Sequence, residues 1–119
     1  MRVTVNKKAL EFAKEMIRQG KFSDKHGRGD LNKAKPTSAQ EDEFLKNHTW
    51  EEYGRWHLGA HYDRPENTQA RYEFPMGDFE LIHRSDLLDI QKRTHEHNFD
   101  DIANAAQELV ELIDKKTNK

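Results

Sequence analysis

Histidine carries most of the reactive potential of this 119-residue chain: there are seven, beside no cysteine. The lack of cysteine excludes disulfides, thiolate zinc sites and a cysteine nucleophile. His57 and His61 stand four residues apart. On a helix that spacing sets two imidazoles on one face, as zinc and nickel sites require. Asp63 follows closely. The residues between the pair are Leu58, Gly59 and Ala60, so the His-Glu-x-x-His signature is not spelled, and Gly59 sits where the helix is expected to end. His95 and His97 are two apart and diverge on a helix. His83 falls on an apolar stripe with Asp86 three residues later. A carboxylate that holds one ring N–H fixes the tautomer and raises the basicity of the imidazole, which is what a general base needs. The bland reading of His83, a half-buried ring satisfied by its own helix, is preferred. Ser85 is near in sequence, but no strand–turn–helix elbow presents it as a nucleophile.

Two further groups have the composition of binding surfaces. Trp50, Tyr53, Trp56 and Tyr62 concentrate aromatic mass, and Arg55 and Trp56 fall off the helical face that Trp50 and Tyr53 share. Arginine beside an off-face aromatic is a frequent protein-interface anchor. The pair also suits stacking on single-stranded bases, and burial of Trp56 against another helix is the competing reading. The run from Lys25 to Asp30 is basic and holds Gly27 and Gly29, whose backbone N–H groups suit phosphate. Neither the Walker pattern nor Gly-x-Gly-x-x-Gly is present, so a flexible surface loop is expected there. The candidate functional surface is therefore Arg55, Trp56, His83, Arg84 and Asp86. His57 and His61 are the metal candidates, and no cofactor is expected.

The elements that must position these residues read as helices. Ala9, Phe12, Ala13, Met16 and Ile17 mark one face of an amphipathic helix over about 7–19, with Asn6 as its cap and Gly20 as its stop. Residues 21–37 read as a long basic loop. Ser38 with Glu41, and Thr49 with Glu52, are capping boxes. The first opens a helix with Phe44 and Leu45. The second opens one whose face holds Trp50, Tyr53, Gly54, His57 and Leu58, where bare Gly54 allows a neighbour to come close. Pro75 and Gly77 break the chain, and Asp78 is expected to cap a helix carrying Phe79, Ile82, His83, Leu87, Ile90 and Thr94. The last helix starts at Asp100 or Asp101, with Ile102, Ala105, Ala106, Leu109, Val110 and Ile113 as its apolar face. Lys115 and Lys116 complement its C-terminal dipole. Period-two alternation occurs only at residues 2–5. The expected fold is mainly α: a single-domain bundle, 1–119, of about five helices with a long flexible loop near 21–37.

The segment from Tyr72 to Ile113 carries a resemblance. Tyr72, Phe74, Pro75, Gly77, Asp78, His83 and Arg84, followed by Asp101, Ile102, Ala105 and Ala106, form an aromatic-x-Phe-Pro-x-Gly-Asp-Phe…His-Arg pattern ahead of a helix. This resembles small uncharacterised bacterial proteins and short helical modules of phage and prophage proteins. The resemblance covers about a third of the chain and implies no catalytic activity. Those relatives are alanine-rich between the two helices, where this chain runs from Leu88 to Arg93 with only one apolar residue, Ile90, beyond Leu88.

Charge and composition bound the function. Hydrophobic residues make up 34% and charged residues 35% of the chain, which fits a small core. The net charge of −2 is unevenly spread. Residues 1–40 hold ten Lys/Arg against four Asp/Glu, whereas residues 41–114 hold seven against eighteen. A basic arm for an anionic partner is one reading; the preferred one sets the basic end against the acidic body of its own molecule or a second copy. The first residues contain no apolar h-region, and no run reaches the ~20 apolar residues of a membrane span. The chain therefore reads as a cytoplasmic, non-enzymatic protein-interaction or accessory module that binds a protein partner or itself. A histidine-based or metal-assisted enzyme, and nucleic-acid association through the basic N-terminal segment, stand as the alternatives.

Overall fold

The computed structural model describes residues 3–24 and 36–117. Within them lie five α-helices: α1 (Lys7–Arg18), α2 (Ser38–Asn47), α3 (Trp50–Gly54), α4 (Arg84–Glu96) and α5 (Asp100–Thr117). Five short strands accompany them: β1 (Thr4–Val5), β2 (Phe22–Ser23), β3 (His57–Ala60), β4 (Tyr72–Pro75) and β5 (Ile82–His83). The strands β1, β3 and β4 make an antiparallel sheet in that order, and β2 pairs with β5 in parallel. The expectation of a mainly α bundle is thus corrected: the protein is a small α/β domain.

The helix ends follow from local chemistry. Asn6 caps α1 by accepting from the Ala9 N–H, and its amide donates to the carbonyls of Gly54 (3.1 Å) and His57 (3.1 Å), fastening α1 to α3 and β3. At the other end Gly20 takes φ +78°, which lets the N–H of Lys21 return to Met16 O at 2.8 Å and close a Schellman turn. The cap of α2 is Thr37 with Gln40, one residue before the expected Ser38 and Glu41. Thr49 and Glu52 cap α3 as their spacing predicts.

The largest departure comes after Gly54. The expected helix would have run through Leu58, but α3 stops after five residues and the chain becomes β3, the central strand of its sheet. A Cβ on Gly54 would lie 2.6 Å from the Tyr72 ring, so the bare glycine is what lets β4 pack against the end of α3. Every residue of β3 is buried, which removes the alternating pattern that marks a one-sided strand. Likewise Phe22 and Ser23, expected in the loop, pair with Ile82 and His83. The predicted helix from Phe79 begins only at Arg84; Phe79 has φ +72° and cannot be helical. Of the flexible loop expected near 21–37, residues 25–35 lie outside the described residues.

The core joins these layers. Helix α5 buries all six residues of its predicted face and packs on α4, α1 and β3. Leu87, Ile90 and Thr94 are buried on α4, which packs against it. The core continues through Val3, Leu58, Phe74, Met76 and Ile82 of the strands and their flanks. Among the described residues no helix is long and apolar enough to cross a membrane.

Candidate functional site

The sequence-predicted candidates fall into three separate places. Trp56 is the first correction: it is 5% exposed and sits in the core, edge-on to Phe12 (5.2 Å) and Phe79 (5.9 Å). The off-face position that suggested exposure assumed a continuing helix. Because α3 ends two residues earlier, the chain turns Trp56 inward, and the Met76 N–H donates to its carbonyl at 2.8 Å. Arg55 stays half-buried, its guanidinium 6.0 Å from the Phe12 ring centroid.

His57 and His61 do not share a helical face. The spacing works only on a helix; along extended chain four residues separate side chains by ~13 Å. His57 begins β3, and His61 follows its end. The His57 Nδ1 lies 2.9 Å from Tyr53 O, and burial pushes its pKa down to about 4. His61 Nε2 lies 2.9 Å from Glu73 Oε1 across the β3–β4 pair. No group of three or more potential ligands among the described residues could hold a metal ion.

His83, Arg84 and Asp86 lie along the junction where β5 runs into α4. His83 partners Asp78 (Nε2 to Oδ2 3.0 Å). Asp78 does not cap a helix but holds a turn, accepting from the N–H groups of Glu80 (3.0 Å) and Leu81 (2.9 Å). Burial of Asp78 opposes its ionisation, yet the hydrogen bonds from Leu81, His83 and Glu80 outweigh it and hold the carboxyl below the usual range. Arg84 makes a forked bond to Asp114, Nε to Oδ1 at 2.8 Å and Nη2 to Oδ2 at 3.1 Å, clamping the start of α4 to the end of α5. That bond raises the Arg84 pKa against its partial burial. Asp86 is fully buried in the first turn of α4, and His83 is 3% exposed. A base so enclosed is poorly placed to meet a substrate. This cluster holds the turn, β5 and the two long helices in register.

The open site lies elsewhere. A cleft of about 700 Å³ separates the first turn of α1 from α3 and from the chain that links β3 to β4. Its lining carries Lys7, Lys8 and Arg55 together with Trp50, Tyr62, Arg71 and Tyr72. Tyr62 is 50% exposed, and Arg71 stacks on its ring with the guanidinium carbon 4.9 Å from the centroid. The Arg71 guanidinium also donates to the carbonyls of Arg64 (2.8 Å) and Tyr62 (3.4 Å), so its position is set by the loop. Burial raises the Tyr62 phenol pKa, with Arg71 partly opposing it. The rim also holds Glu51 and Glu66; Glu51 approaches Lys8 at 3.8 Å between exposed side chains.

Of the cleft residues, only Arg55 was among the residues chosen from the sequence as a candidate surface. One signal was nevertheless readable. Lys7 and Lys8 occupy the first turn of a helix that has no acid there. Cations at that end are opposed by the helix dipole, so stability does not explain them. Nothing in the sequence brings Tyr62 and Arg71 across to them, because that depends on β3 pairing with both β1 and β4.

The chain matches no protein-family model, no curated protein and no solved structure in comparison. The functional reading therefore rests on the geometry alone.

Proposed function

We propose that the protein is a non-enzymatic interaction module whose partner is another protein, held in the cleft between α1, α3 and the β3–β4 connection. The observation that carries this reading is the cleft itself. It joins an exposed, pre-oriented aromatic ring to cations of the same lining, the side-chain types that anchor protein interfaces. Its volume is in the range of sites that enclose a few side chains or a small ligand. By contrast, the histidines that an enzyme would need are buried and held by three different groups: Tyr53 O, Glu73 and Asp78. Nucleic-acid binding through the basic N-terminal segment is less favoured. Lys14 of that segment meets Glu108 of α5 at 3.0 Å, and Lys8 faces Glu51, so part of its charge is spent inside the molecule.

A photo-crosslinking amino acid placed at Tyr62 tests the reading, with Leu88 as the control. Leu88 is 41% exposed and lies on α4, and it is not among the cleft residues. In cells that make the protein, discrete protein adducts should form from position 62 and not from position 88. Adducts from both positions alike, or from neither, would remove the cleft as the interaction surface.

A further inference from the structure

The cleft also defines what kind of segment would enter it. We infer that it takes an acidic peptide segment that pairs a carboxylate with an aromatic side chain, an inference that rests on the interaction-module reading above.

The charge of the cleft sets the first half of this. Four cations line it against two carboxylates. Arg71 is committed to loop carbonyls and to the Tyr62 ring, and Lys8 leans towards Glu51. Lys7 is exposed, and neither it nor Arg55, which also lines the cleft, makes a salt bridge among the described residues. These two cations stand ready for an anion, and the first turn of α1 adds its own partial positive charge.

The second half comes from the Tyr62 ring. Arg71 beneath the Tyr62 ring fixes an aromatic platform, half of it open to solvent. Offset or edge-on stacking of an aromatic side chain there would bury apolar area without displacing a bonded group. The half-buried rings of Trp50 and Tyr72, in the same lining, add apolar surface.

The mixed signs of the rim choose between polyanions. A nucleic-acid backbone presents phosphates at every step and would set some of them against Glu51 and Glu66. A peptide places a carboxylate where Lys7 and Arg55 lie and turns backbone N–H groups towards the two glutamates.

The test uses fluorescence anisotropy with a labelled peptide of alternating Asp, Glu and Tyr. Its partners in the assay are a twin with Asn and Gln in place of the acids, and an oligothymidylate of matched charge. The acidic peptide should bind saturably, and the amide twin at least about tenfold more weakly, since each tenfold corresponds to ~1.4 kcal/mol. Lys7→Glu, Arg55→Glu and Tyr62→Ala should each weaken the acidic peptide by about tenfold or more. Lys7→Glu is the decisive variant because an acid in the first turn of a helix favours folding, so its loss of binding cannot come from unfolding. Equal binding of the amide twin, or unchanged binding by Lys7→Glu, would overturn the inference. Tighter binding of the oligothymidylate would overturn it in favour of nucleic acid. Crosslinks from position 62 with no affinity for the acidic peptide would sink this ligand class while leaving the cleft as the interaction surface.

Discussion

At the scale of single residues, the structure redistributes roles among the groups that sequence reading picked out. His83, which spacing pairs with Asp86, has its Nε2 against Asp78, five residues back, a contact that the turn and strand between them make possible. Arg84 was placed on a possible surface and instead clamps Asp114, thirty residues away. Such partners are invisible to local spacing. His57 shows the consequence most directly. Its burial keeps it neutral in the folded protein down to about pH 4, while an unfolded chain protonates it near 6.5. Between those values the unfolded state binds more protons, so stability is full above about pH 6.5 and falls as the pH drops towards 4. The loss attributable to this one ring is about 3 kcal/mol. Denaturant unfolding of the wild type and of His57→Phe from pH 7.5 to 4.5 checks it. The replacement removes the ring from the Tyr53 carbonyl, which keeps the Trp56 N–H at 3.2 Å, and lowers stability at pH 7.5, but it should flatten the acid slope. Equal slopes in the two proteins would show that His57 is not the group responsible.

At the scale of elements, the legible parts were those whose signals are local. The faces of α1 and α5, the Thr49–Glu52 box and the stop at Gly20 all appear where the spacing places them. The strands were missed for a common reason. They are two to four residues long, and the longest central one is buried on both sides, so no alternation betrays it. Their existence depends on partners distant in the chain: β3 pairs with residues before α1 and after the 3₁₀ turn at Gln69–Arg71. The cleft was missed with them, since its walls are brought together by that sheet. Gly54 is the element-level hinge of this arrangement and was correctly read as a point of close approach. Gly54→Ala would drive a methyl group into the Tyr72 ring, which must move or force the end of α3 to shift. The expected cost is about 1–3 kcal/mol, in the range of overpacking substitutions. Because Tyr72 also lines the cleft, binding should weaken together with stability. A denaturation midpoint identical to wild type would mean that the ring swings aside freely and that the contact does not fix β4.

At the scale of the whole molecule, the described part of the basic segment belongs to the same body as the core. Lys14 of α1 reaches Glu108 of α5, and Lys116 near the end of α5 donates to Arg18 O at the end of α1, so basic and acidic regions meet within the chain. These exposed pairs contribute little individually; the joining force is apolar. Helix α5 is central to it, since it touches α1, α4, β1 and β3. Leu109, fully buried near its middle, is therefore shared by most of the fold. Replacing it with alanine should cost ~2–5 kcal/mol, a large share of the ~5–15 kcal/mol that holds a domain together. Two spectroscopic signals distinguish a cooperative body from loosely joined parts. Far-UV circular dichroism follows the helices, α4 and α5 prominent among them, and near-UV dichroism follows the aromatic cluster around Trp56, Phe12 and Phe79. In the wild type and in Leu109→Ala both signals should be lost in one transition, displaced together to lower denaturant in the variant. An aromatic transition that keeps its midpoint while the helical one moves would mean that the strands and their aromatic cluster fold without α5. The cleft would then belong to that smaller unit, and its affinity for partner would survive the substitution.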